Sequence, residues 1–145
     1  MKSLKRTITG FPLIVIVLLM SAIGDAQETP KHPIDKALDA CLDKDSTTAG
    51  MTNCIGKAYE KWDKELNRIY AELMKKLSPE GKANLKDAQL QWLKFRDSEF
   101  KLQDSVYSTL EGTMYIPMRA SDRMEVVKKR AVELKSHLEL LKEAQ

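Results

Sequence analysis

From Met51 to Leu77 the apolar residues recur by threes and fours: Met51, Ile55, Ala58, Trp62, Leu66, Ile69, Leu73 and Leu77. That period places them on one face of an α-helix and leaves the other face to lysines, glutamates and asparagine. An amphipathic helix of this length cannot bury its stripe alone, so the rest of the chain must supply matching faces. Two further stripes do so. Leu85, Ala88, Trp92, Phe95, Leu102 and Val106 form one, with Glu99 on the same seam, and Met124, Val127, Ala131, Leu134, Leu138 and Leu141 form the other. Ile34, Ala37, Leu38 and Cys41 add a short helix ahead of them, ending in the polar run 43–48.

The punctuation between stripes fits helix ends. Ser78 is suited to cap a helix, Pro79 to its first turn and Glu80 to the positive end of its dipole. Helices two and three are therefore expected as a tight antiparallel hairpin. Residues 108–120, STLEGTMYIPMRA, contain Gly112 and Pro117 and lack helical periodicity, so a loop is expected there. Asp122 with Glu125 has the form of a capping box opening the last helix. No run alternates like a strand. The expected fold is all-α: an elongated antiparallel bundle of three long helices plus one short N-terminal helix, the long ones spanning on the order of 45 Å.

The first 26 residues stand apart. Lys2, Lys5 and Arg6 precede an apolar run from Ile8 to Ile23 and the small residues Ala22, Gly24 and Ala26, the pattern of a cleavable secretory signal peptide. Residues 27–33, QETPKHP, read as a flexible lead, and 34–145 as one helical domain. Removing 1–26 leaves 21 basic against 20 acidic residues, mixed in sign along the helices. No basic block is present to bind nucleic acid, and no stable membrane insertion is expected after processing. Cys41 and Cys54, in a chain bound for an oxidising compartment, read as one disulfide worth about 3 kcal/mol in the chain-entropy model. They are not spaced as a metal or redox motif, and His32 and His137 lie near opposite ends of the chain. No metal or cofactor is implied.

The polar and aromatic residues inside the stripes are the most specific part of the sequence: Tyr59, Trp62, Asp63, Glu65, Asn67 and Tyr70, then Gln89, Trp92, Arg96 and Asp97. The carboxylates Asp63, Glu65 and Asp97 beside Arg96 offer the ingredients of a hydrolase site. The structural reading has Arg96 pairing with Asp63 or Glu65 and Asn67 bonding Gln89 across a helix seam, with Trp62 and Trp92 as core knobs. No nucleophile set or phosphate loop accompanies them, and catalysis is not expected. The stretches CIGKAYEKWDKELNRIY and LKDAQLQWLKFRD resemble the LprI-like lysozyme-inhibitor domain, a family of small secreted bacterial proteins. The resemblance runs from about Cys41 to the last helix and is most specific from Cys54 to Asp97.

It implies a periplasmic or secreted protein that occludes lysozyme or another peptidoglycan-cleaving enzyme; the alternative is a cell-envelope adaptor that inhibits nothing. The resemblance also implies two further cysteines, one after the Arg-Asp pair and one before the last helix. This chain has Phe100 and Ser121-Asp122 in those regions. Loops on rigid scaffolds commonly carry binding residues, so Glu111, Gly112, Thr113, Tyr115 and Arg119 are the candidate contact residues. Gly112-Thr113 matches a glycine-rich turn of the family, and Arg119 is suited to a glycosidase's acidic pair while Tyr115 is suited to a sugar subsite.

Overall fold

The computed structural model describes residues 30–143, so the expected signal peptide and most of the lead lie outside the described residues. Four helices follow in order: α1 (Pro33–Leu42), α2 (Thr48–Lys76), α3 (Pro79–Tyr107) and α4 (Tyr115–Glu143). The three long helices have 29 residues each, about 44 Å. No strand occurs among the described residues, and no helix there is long and apolar enough to cross a membrane. The all-α bundle is as expected.

Local chemistry fixes the helix starts. His32 caps α1, its Nδ1 accepting the Ile34 N–H at 3.3 Å, and Pro33 occupies the first position. At α2 the Thr47 hydroxyl accepts the Gly50 N–H at 3.0 Å, and the Asp45 carboxylate accepts from the Thr47 hydroxyl at 2.7 Å and its N–H at 3.1 Å. A Cβ on Gly50 would meet the Asp45 carboxylate at 2.0–2.4 Å, so any larger residue there would push that side chain away from the cap. Ser78 caps α3 through Gly81 N–H at 3.2 Å, with Pro79 next, as its sequence foretold.

The core lies mainly between α2 and α4. Ile55, Ala58, Trp62, Leu66, Ile69 and Leu73 meet Met124, Val127, Ala131, Leu134 and Leu138, all at most 7% exposed. Both sets step by threes and fours, the spacing that lets two helices interlock along a shared seam. Because α3 returns the chain between them, α2 and α4 run parallel. Cys41 and Cys54 form the expected disulfide, Cα atoms 5.7 Å apart, and fasten α1 across α2.

Two expectations are corrected. The α2–α3 connection is tight, but the hairpin is not the main packing unit: Leu85 alone of α3 joins the buried core, while Phe95, Leu102 and Val106 are 50–57% exposed. The side of α3 turned toward its neighbours is instead Gln89, Trp92, Arg96, Phe100, Gln103 and Tyr107, all partly buried. Second, α4 starts at Tyr115, not at Asp122. Pro117 sits in its first turn, where a missing N–H costs nothing, and is buried there. The loop shrinks to residues 108–114, with Gly112 at φ +112°, a conformation other residues adopt only with strain.

Candidate functional site

The motif residues of α2 and α3 do not converge. Trp62 is fully buried, as expected, and Tyr59, Tyr70 and Trp92 pack partly buried against the core. The polar members other than Gln89 find partners on their own helix. Asn67 donates to the Asp63 carbonyl at 2.9 Å and carboxylate at 3.2 Å. Arg96 lies against its neighbour Asp97 at 2.7 and 3.0 Å, with its guanidinium 5.6 Å from the Trp92 ring. Glu65 takes Arg68 at 2.6 and 2.7 Å, and Arg68 also reaches Glu72. Neither Arg96 with Asp63 or Glu65, nor Asn67 with Gln89, is the pairing found. Gln89 instead accepts from Arg130 of α4 at 3.1 Å.

The cross-helix polar knot forms elsewhere, around residues the sequence did not single out. Asp35 of α1 is 8% exposed; it accepts the Trp62 Nε1–H at 3.3 Å and pairs with Lys128 of α4 at 3.0 Å. The His32 ring stands 4.4 Å from the Trp62 ring, and Lys128 Nζ lies 5.7 Å from it on another approach. Burial acts against the Lys128 charge, but the Asp35 hydrogen bond and the charges of Glu125 and Asp35 outweigh it and raise the pKa. Nothing in the spacing marked Asp35 in advance, since it lies beside the short helix's apolar positions. An open groove of about 820 Å³ lies over this knot, with Trp62, Ile69 and Ala131 below and Glu65, Lys135 and Glu139 around.

This arrangement is not that of paired catalytic carboxylates. Asp63, Glu65 and Asp97 are satisfied separately. The Arg68 hydrogen bond drives the Glu65 pKa down, opposite to what a general acid needs. Among the described residues no group of three or more His, Cys, Asp or Glu side chains is placed to hold a metal.

The end of the bundle at the α3–α4 turn has a different character. Glu111, Gly112 and Thr113 are exposed in the turn, whereas Tyr115 and Arg119 belong to α4. Tyr115 is half-buried, its ring 6.4 Å from Tyr107. Arg119 reaches Asp104 at 3.4 Å, and Arg123 holds the same carboxylate at 2.5 Å, so two guanidiniums share one acid. Leu110, Met114, Ile116 and Met118 around them are 40–60% exposed. Between this end and α2 is a groove of about 390 Å³, walled by Tyr59, Phe100 and Ile116, whose charged lining is Arg119 and Arg123 alone.

The family model described as lysozyme inhibitor LprI matches residues 40–134, from just before the disulfide to the middle of α4. The chain belongs to the lysozyme inhibitor LprI family. No curated protein sequence matches it. A crystal structure of an uncharacterized protein from Burkholderia thailandensis is similar, with 31% identity and a TM-score of 0.73. The match covers 79% of this chain and 58% of that one, so the LprI-family chain spans little more than half of its structural relative.

Where the resemblance to LprI proteins implied a second disulfide, noncovalent contacts join α3 to α4. Phe100 lies 5.1 Å from the Arg123 guanidinium, and the Tyr107 hydroxyl donates to the Asp122 carboxylate at 2.5 Å. That hydrogen bond holds the Tyr107 proton and raises the phenol pKa.

Proposed function

We propose that this LprI-family protein is an exported inhibitor that binds lysozyme or a related peptidoglycan-cleaving enzyme and occludes it, itself catalysing nothing. The observation carrying this reading is the family match over residues 40–134. A disulfide joining Cys41 and Cys54 fits an oxidising, extracytoplasmic setting. The contact surface is the bundle end carrying Glu111, Gly112, Thr113, Tyr115 and Arg119. Its exposed apolar residues supply area that a partner can dry out, and the groove beside it presents positive charge, with Arg119 and Arg123 and no carboxylate among its lining residues. A glycosidase cleft is lined by carboxylates that complement such charge.

The test is lysozyme turnover of cell-wall substrate against increasing oxidised protein, with binding followed by calorimetry. Stoichiometric inhibition is expected, weakened at least about tenfold by Arg119→Glu and by Tyr115→Ala. Inhibition unchanged in both folded variants places the surface elsewhere; no inhibition by the unaltered protein removes the function. A second reading, an envelope adaptor, is favoured by the exposed Phe95, Leu102 and Val106 of α3. It predicts copurification with an envelope protein that Phe95→Ser abolishes, with lysozyme unaffected.

A further inference from the structure

The shallow seating of α3 leaves a cleft between α3 and α4, remote from the α3–α4 turn and independent of the inhibitor reading. One part, about 560 Å³, is walled by Leu73, Leu77, Leu85 and Leu134 and opens past Leu140 and Leu141. A second part, about 350 Å³, holds Trp92 and Phe95. Arg130 and Glu133 line both. Each part falls within the range of roughly 300–1,000 Å³ occupied by small-molecule sites.

Arg130 is the unusual residue. It is 7% exposed, on the edge of a leucine-walled groove. Its Nε donates to Gln89 at 3.1 Å and its Nη1 to Glu133 at 3.0 Å, but Nη2 is buried with no acceptor. A buried guanidinium with an idle donor is costly unless an acceptor arrives. Glu133, with its side chain 55% exposed, is a solvent-facing partner, and Lys129 and Glu99 both line the smaller part. The formal charges around the cleft therefore balance, and the unmet demand is local to Nη2.

We propose that this cleft binds a single-chain anionic amphiphile, a small turn of the Arg130 side chain bringing the buried Nη2 to its carboxylate while its alkyl chain lies along the leucines. A leucine wall gives a hydrocarbon chain burial at roughly 25 cal/mol per Å², and the charge-assisted hydrogen bond fixes which end sits at the arginine.

The experiment is calorimetric titration of the oxidised protein with dodecanoate below its micellar concentration, with dodecanol and dodecylamine in parallel. One dodecanoate binds, dodecanol binds at least about tenfold more weakly, and dodecylamine does not bind. Arg130→Gln lowers dodecanoate affinity by a similar factor while leaving dodecanol unchanged. Ala88→Trp fills the cleft from an exposed position outside the core and abolishes binding of both, which keeps the test decisive if the Arg130 variant unfolds. A brominated dodecanoate quenches Trp92 fluorescence, isolated in a Trp62→Phe background. The proposal is overturned if dodecanoate does not bind, if all three amphiphiles bind alike, or if Ala88→Trp leaves binding intact. It is likewise overturned if sedimentation shows a second copy of the chain covering the cleft and excluding dodecanoate.

Discussion

Asp35 shows how much one carboxylate can organise. It takes the indole N–H of the most central aromatic, an ammonium from α4, and its place in the first turn of α1, where a negative charge is favoured by the helix dipole. Removing it leaves a buried indole donor unmet and Lys128 with only Glu125. Asp35→Ala is therefore expected to cost about 2 kcal/mol, read as a lowered denaturant midpoint with unchanged slope, and Asp35→Asn to cost less because it keeps an acceptor for Trp62. The aromatic half of this contact was legible, since Trp62 falls on the stripe. Its partner was not, because which side chain meets an indole depends on how α1 crosses α2, and a one-dimensional pattern carries no crossing angle.

For whole elements, legibility followed the strictness of the spacing. The stripes of α2 and α4 are unbroken runs of threes and fours, and the side chains they named are buried except at the ends, where Met51, Leu77 and Leu141 are partly exposed. The α3 stripe is interrupted by Glu99, so that it steps by seven from Phe95 to Leu102. A helix with so weak a preference is oriented by its polar contacts, Gln89 with Arg130 and Asp104 with Arg119 and Arg123, and these rotate Phe95 and Leu102 outward. The start of α4 was missed because Gly112 and Pro117 both read as loop residues, although proline in a first turn is compatible with helix. Of the proposed contact residues, the turn 111–113 lies where the sequence put it, and Tyr115 and Arg119 moved onto helix. The short helix α1 depends on its crosslink. Reducing Cys41–Cys54 is expected to cost about 3 kcal/mol, with Trp62 emission shifting red as α1 and its Asp35 loosen; an unshifted melting curve in reductant would contradict this.

Across the whole molecule, alkaline pH is the telling variable. Lys128 and Tyr107 both have pKa values raised by folding, so the protonated forms are the ones the native state prefers. Their contribution is complete below the ordinary values near 10 and disappears as pH rises through the raised ones. Melting temperature is thus expected to fall above about pH 10, and Tyr107→Phe to flatten part of that fall. Glu65 contributes with the opposite sign, its lowered pKa giving stability that is lost as pH drops below the usual glutamate range.

Three helices of equal length also constrain how such a chain can vary over time. Each residue inserted within α2 or α4 turns everything beyond it by about 100°, carrying buried side chains into solvent and charged ones inward. An insertion of seven, close to two full turns, restores the interlocking faces, and it then leaves one helix protruding unless its neighbours lengthen too. Single-residue gains and losses in related chains are accordingly expected to gather in the turns at 43–47 and 108–114, making those turns the natural places to splice in a tag or a new recognition loop.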